Sequence, residues 1–444
     1  MITGKNYIGN KLSKIGDKKF KTFDPKQNTT NSWTFYEATD DEVNEALTLA
    51  EEAFKTFKTI SGKSRANFLV RIADEIEALG DDLISVYCKE TGLPEARAKG
   101  ERARTIGQLK SFAKFIAEDS WAEPIIERGM PDRQPIPKPD LRKIMVPLGP
   151  VAVFGASNFP LAYSTAGGDT ASALASGSPV VVKSHPLHAG TGELISKAII
   201  KAANETGMPN GVFSNLNSSG VAIGEKLVQH SKIKAIGFTG SLKGGRALYN
   251  MAAKRKEPIP VFAEMGSVNP VILLSKALEK KGKHWAKAYA NSIVLGAGQF
   301  CTNPGLLFGI KSSELDNFGK NLSEEILKIE PFCMLNPKIK ENYLANKIAI
   351  SKQKGVQVIA DIALDKDNYA NQRITAVSGK EFIRNKKLHA EVFGPFSMIV
   401  ECENKKELED AIASIEGQLT GTIISEDAEI SDFKEVISIL KDKV

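Results

Sequence analysis

From Lys143 onward, short β-branched runs alternate with helix-forming stretches, and this alternation constrains the fold more than any other feature of the chain. V-A-V-F-G-A precedes a small-residue helix over Thr165–Ala175. V-V-V-K follows, then a helix over Thr191–Thr206, then V-F-S-N-L, a helix over Val221–Gln229 and I-K-A-I-G-F-T-G-S. Runs this short, apolar throughout and separated by helices of about this length, predict a parallel, doubly wound α/β sheet. K-I-M-V-P-L-G-P-V-A-V-F reads as a strand pair leading into it. A second α/β unit starts near Pro260–Leu274 and runs through the remainder. No internal repeat or low-complexity segment interrupts the pattern.

The chain before Lys143 reads differently. Residues 1–40 are strands and turns. Thr39-Asp40-Asp41-Glu42 is a capping box ahead of a helix reaching Phe57. Further helices are predicted over Ser64–Leu79, Leu83–Thr91 and Pro94–Asp119, their many charges read as solvated faces. Residues 121–143 hold five prolines, including Pro135 to Pro139, which predicts an extended arm or edge hairpin. A length of 444 residues calls for two or three domains. The bounds drawn from sequence are 1–120 with 144–240, an arm over 121–143, and 241–444. The net charge of +6 comes from lysines spread along the chain, which argues against a nucleic-acid partner. Cys88, Cys301, Cys333 and Cys402 lie far apart and predict neither a metal site nor a disulfide framework, so a reducing, cytoplasmic setting is expected. No stretch has the length of a membrane span.

Five segments carry chemistry. S-I-V-L-G-A-G-Q-F-C-T-N-P-G puts Cys301 after two glycines and before a Pro-Gly turn, where a thiol serves as a nucleophile once its proton is removed. Read alone, a lone cysteine is more simply a buried structural one. G-A-S-N-F-P places Asn158 just after a strand, where an amide can donate to an oxyanion or simply cap a turn. V-V-V-K-S-H-P ends a strand on Lys183, either facing an anion or snorkelling to water. G-F-T-G-S-L-K-G-G-R runs a strand into a glycine-rich helix start, which favours phosphate without matching either familiar phosphate-loop pattern. P-V-F-A-E-M-G-S puts Glu264 after an apolar strand, as a general base or a helix-capping carboxylate.

Taken together, A-S-N-F-P, V-V-V-K-S-H-P, G-F-T-G-S, A-E-M-G-S-V-N-P, G-Q-F-C-T-N-P-G and E-V-F-G-P stand in the order and at roughly the spacing of the aldehyde dehydrogenase superfamily. The resemblance covers nearly the whole chain. C-T-N-P-G, S-T-A-G-G-D-T-A-S-A-L-A-S-G and E-M-G-S-V-N-P look most like the α-ketoglutaric semialdehyde (2,5-dioxopentanoate) dehydrogenases. Bacterial fatty-aldehyde dehydrogenases share much of the signature.

The resemblance implies two Rossmann-like α/β domains, one for cofactor and one for catalysis, with an incomplete oligomerisation arm. It implies Cys301 as nucleophile, Asn158 and the Cys301 backbone N–H as oxyanion donors, Glu264 as the base for deacylation and Phe159 as a substrate contact. It assigns Lys183 to the adenine ribose, Gly240 and Ser241 to the pyrophosphate and Glu391 to the nicotinamide ribose of NADP or NAD. NAD-preferring relatives often carry a glutamate three residues after the lysine. Here that position is Pro186, beside Ser184 and His185, so acceptance of NADP is expected. The implied reaction is oxidation of 2,5-dioxopentanoate to 2-oxoglutarate through a Cys301 thioester. The alternatives are a broad aliphatic or fatty-aldehyde dehydrogenase and, in another class, a catalytically silent dinucleotide-binding fragment. The family normally continues past Val444, so the catalytic domain and part of the oligomerisation sheet are expected to be incompletely covered. A homo-oligomer is expected if assembly survives this.

Overall fold

The computed structural model describes residues 2–364 and 366–444. They divide into two compact units, Met1–Asp24 with Thr30–Met265, and Pro25–Thr29 with Gly266–Val444.

The first unit is built on a seven-stranded sheet. Its strand order is Val261–Glu264, Ala235–Thr239, Val151–Phe154, Val180–Lys183, Phe213–Leu216, Asn6–Ile8, Lys11–Ser13. The first five run parallel, and the last two add antiparallel. The chain steps outward from Val151–Phe154 to Phe213–Leu216, then returns to place Ala235–Thr239 on the other side. That reversal between Val151–Phe154 and Ala235–Thr239 is the switch point at which open α/β sheets bind ligands, beyond the carboxyl ends of the strands. The central strands are buried, so their runs of valine face apolar neighbours on both sides. Of the expected strand pair, Leu141–Lys143 and Val151–Phe154 form, in separate sheets.

The sequence signals for helices act as expected. Thr39 caps the helix Asp40–Phe57: its hydroxyl accepts from Glu42 N, and Glu42 accepts in return from Thr39 N. Gly62–Ala78, Gly80–Thr91 and Glu95–Ile116 follow. Their charges are not all solvated. Glu90 and Glu101 are buried, and each satisfies backbone N–H groups of distant segments. A buried carboxylate that accepts several hydrogen bonds ties elements together and is costly to leave unpartnered. The proline-rich stretch forms an antiparallel hairpin of Ile125–Glu127 and Leu141–Lys143.

The second unit holds a six-stranded sheet, ordered Gln357–Asp361, Arg373–Ser378, Phe396–Cys402, Leu306–Ile310, Val271–Leu273, Thr422–Ile424. All neighbours are parallel except the first pair. Two buried clusters pack on it, one including Phe308, Met398 and Phe382, the other Phe318, Leu322 and Ile293. The boundary between the units falls after Met265, not at 240–241. The reason is the ladder joining Ile236–Thr239 to Val261–Glu264, which keeps Glu264 in the first sheet.

Candidate active site

The first unit presents a cleft of about 390 Å³ at its switch point, lined by Lys183, Gly220, Val221, Gly240, Ser241 and Leu248 among others. Ser241 is the N-cap of the helix Leu242–Ala253, its hydroxyl accepting from Gly244 N at 3.2 Å. The remaining first-turn N–H groups and the positive end of the helix dipole suit a phosphate. Glycine is required here by close packing. A Cβ on Gly240 would stand 2.7 Å from the Phe238 ring, and one on Gly244 3.0 Å.

Lys183 ends its strand half-buried, and burial lowers its ammonium pKa to about 8, with the Glu37 charge opposing the shift. Ser184 is buried, and its hydroxyl oxygen has no hydrogen-bond partner among the described residues. Pro186 opens the short turn Pro186–His188, in which the His185 and His188 rings stack 4.8 Å apart. Burial holds both imidazoles neutral, pushing His188 down to about 4. Pro186 stands where some relatives carry a glutamate, but carboxylates from elsewhere in the chain lie in the region of Lys183. Glu37 acts on it from a distant segment, fixed by bonds from Ser219 N and Ser219 Oγ, and Glu225 lines the cleft. Neither was visible as a neighbour in sequence.

Asn158 and Phe159 lie on the loop that follows Val151–Phe154. The loop is closed by Ala156 N donating to the Tyr163 carbonyl at 2.8 Å. Asn158 is half-buried. Phe159 is only 4% exposed: its ring meets Tyr163 edge-on at 5.1 Å, and the Arg97 guanidinium lies 4.3 Å from its centre. The Phe159 ring is thus largely covered by the protein itself. Glu264 ends the edge strand. One of its carboxylate oxygens is buried without a hydrogen-bond partner among the described residues, and its pKa rises to about 7, by burial first and the Asp169 charge second. Asp169, raised to about 6 by burial, packs against Gly237 on the neighbouring strand, so closely that a Cβ there would come within 2.9 Å. A carboxyl poised near neutrality is what a general base requires.

Cys301 and Glu391 belong to the second unit, on loops that enter the N-terminal ends of its parallel strands, rather than beyond their carboxyl ends. Gly296, Ala297 and Gly298 all have positive φ, of 57°, 57° and 65°. They end the helix and turn the chain into the half-buried Cys301 segment. At Gly298 a side chain is excluded, since a Cβ would sit 2.2 Å from the Gly394 carbonyl. Asn269 organises this loop and was missed by sequence reasoning. Buried at 3% exposure with φ of 49°, it donates from Nδ2 to the carbonyls of Cys301 and Asn303, each at 2.8 Å. Its Oδ1 accepts from Ser267 Oγ at 2.9 Å and Thr420 Oγ1 at 3.0 Å, and Gln418 Oε1 accepts from Val268 N at 2.7 Å. The signal was present within M-G-S-V-N-P, but its partners around Thr420 are remote in sequence. Glu391 reaches Gly266, where a Cβ would stand 2.3 Å from its Oε2.

Among the described residues, no group of His, Cys, Asp and Glu could hold a metal ion, and no helix is long and apolar enough to cross a membrane. The profile of the aldehyde dehydrogenase family matches residues 13–438. Alpha-ketoglutaric semialdehyde dehydrogenase 2 of Azospirillum brasilense is 44% identical over 424 residues, 95% of this chain and 81% of the relative. Alpha-ketoglutaric semialdehyde dehydrogenase of Acinetobacter baylyi is 39% identical, over 99% of this chain and 84% of its own. Among solved structures, an NAD-dependent benzaldehyde dehydrogenase from Corynebacterium glutamicum superposes with a TM-score of 0.83 at 21% identity, covering 98% of this chain and 92% of that one. With its switch-point cleft, its poised carboxyl and its constrained thiol loop, the chain belongs to the aldehyde dehydrogenase family and is an oxidoreductase.

Proposed function

We propose that this protein oxidises 2,5-dioxopentanoate to 2-oxoglutarate with NADP or NAD. The observation that carries the substrate is the 44% identity, over 95% of the chain, to a relative named for α-ketoglutaric semialdehyde. The dinucleotide is held by Lys183, Ser184, Pro186, Gly240 and Ser241, with Glu391 at the nicotinamide ribose. What supports this is the glycine-lined cleft, the capped helix start and the partnerless Ser184 hydroxyl.

The Cys301 thiolate adds to the aldehyde carbon, forming a C–S bond, while the carbonyl oxygen becomes an oxyanion. The amide of Asn158 and the backbone N–H of Cys301 donate to that oxyanion. When bound, the nicotinamide supplies the oxidising power by accepting hydride. Loss of hydride from the substrate carbon leaves a thioester on Cys301. Glu264 then takes a proton from water, the hydroxide attacks the thioester carbonyl, and the C–S bond breaks to release the acid and the thiolate. Dividing one oxidation into acylation and deacylation is the advantage of a covalent nucleophile.

The test is aldehyde-dependent formation of reduced dinucleotide by the purified chain, with Cys301→Ser as control. 2,5-Dioxopentanoate is compared with glutarate semialdehyde and a long-chain aldehyde. Preference for the long-chain aldehyde overturns the substrate, and turnover surviving Cys301→Ser overturns the mechanism. A kcat/KM for NAD more than about tenfold above that for NADP, some 1.4 kcal/mol in discrimination, overturns the acceptance of NADP.

A further inference from the structure

The helix Glu95–Ile116 carries Arg97, Glu101, Arg104 and Gln108 at spacings of four, three and four, which sets them on one face. That face meets the loop bearing Asn158. Glu101 accepts from Leu161 N at 2.8 Å and Ala162 N at 3.0 Å, and a Cβ on Gly168 would stand 3.0 Å from Gln108 Nε2. Between these fixed points two guanidinium groups lie on the loop's aromatic pair. Arg97 covers Phe159 at 4.3 Å, while Arg104 lies 4.9 Å from the Tyr163 ring centre and 5.8 Å from that of Phe159.

The two arginines differ in how their charge is balanced. Arg97 stands 3.6 Å from Glu101, whose side chain is 1% exposed, so that positive charge is answered inside the protein. Arg104 is exposed, and among the described residues it enters no ion pair. Instead it donates to the Tyr163 hydroxyl at 2.5 Å. A guanidinium fixed by a ring and a phenol, with donors left over, matches a carboxylate in shape and charge.

We propose that Arg104, oriented by Tyr163, binds the distal carboxylate of the substrate and selects carboxylate-bearing aldehydes over neutral ones. The assignment rests on the aldehyde-oxidising function above and supplies the cation that a substrate such as 2,5-dioxopentanoate requires. Arg97, already answered by Glu101, holds the Phe159 ring and the loop in place.

The experiment assays the full chain and its Arg104→Gln and Arg104→Lys variants with 2,5-dioxopentanoate, glutarate semialdehyde and pentanal. For Arg104→Gln, the ratio of kcat/KM for the carboxylate aldehydes to that for pentanal is expected to fall about tenfold or more, chiefly through KM. Arg104→Lys is expected to retain an intermediate ratio. An unchanged ratio in Arg104→Gln, with wild-type protein turning over 2,5-dioxopentanoate, overturns this inference and leaves the proposed function standing. Wild-type protein that oxidises pentanal but neither carboxylate aldehyde overturns the substrate reading and this inference together. Calorimetric titration with 2-oxoglutarate reads the same contact without turnover: weaker binding to Arg104→Gln supports it, and equal binding overturns it.

Discussion

Glu264 and Asp169 show how one carboxyl group can set the chemistry of another in the same unit. Burial raises both, and the Asp169 charge raises Glu264 further. If Glu264 is the base, kcat increases as pH rises through about 7, where its carboxyl ionises. Asp169→Asn removes the like charge, so the acidic limb of the kcat–pH profile is expected to move to lower pH; a limb that stays put or moves up contradicts the coupling. Stability has the opposite sign. The folded-state pKa of Asp169, about 6, lies above its ordinary 3.8. The favourable balance present below the ordinary value is therefore lost as pH rises through about 6. Asp169→Asn is expected to melt above wild type at pH 8, with the difference vanishing near pH 4, as thermal scans at both pH values would show.

At the scale of elements, the setting of Cys301, the proposed nucleophile, depends on loops and not on that residue alone. Asn269 clamps the carbonyls on both sides of Thr302 and is itself held from Ser267 and Thr420. Removing such a buried donor takes away two hydrogen bonds to these carbonyls, at a cost of about 2 kcal/mol or more. Asn269→Ala is expected to lower the melting temperature and to alter the alkylation rate of Cys301 by iodoacetamide. Unchanged melting together with an unchanged rate would show that the clamp is dispensable. The strands and caps here were legible in sequence because their causes are local: Thr39 and Glu42 sit three residues apart, and V-V-V-K is apolar throughout. Asn269, Glu37 and the inward role of Glu101 were not legible, since their partners at Thr420, Lys183 and Leu161 are brought near only by the fold. The periodicity of Arg97, Glu101 and Arg104 was present in the sequence, but spacing does not reveal which face a helix buries.

Over the whole molecule, the proline-rich hairpin stands out by its surface. Ile125, Ile126, Met130, Ile136, Leu141 and Ile144 are all exposed, and a two-stranded edge hairpin with this many exposed apolar side chains invites a partner. A homo-oligomer is therefore expected. Light scattering after gel filtration should give a mass well above the 48.1 kDa of one chain, and Ile126→Lys with Ile136→Lys should shift it toward that value. A monomer in the unaltered protein would refute the expectation. The local cues for this hairpin lay in its prolines, whereas the boundary after Met265 depended on which strand Glu264 joined.

The bond from Thr420 to Asn269 has a consequence in time. Thr420 lies two residues before the edge strand Thr422–Ile424, which pairs with Val271–Leu273. Until that last strand docks, the clamp on the Cys301 carbonyl lacks one of its own supports. The loop that carries the sulfur thus owes part of its support to the strand that the chain reaches last in this sheet.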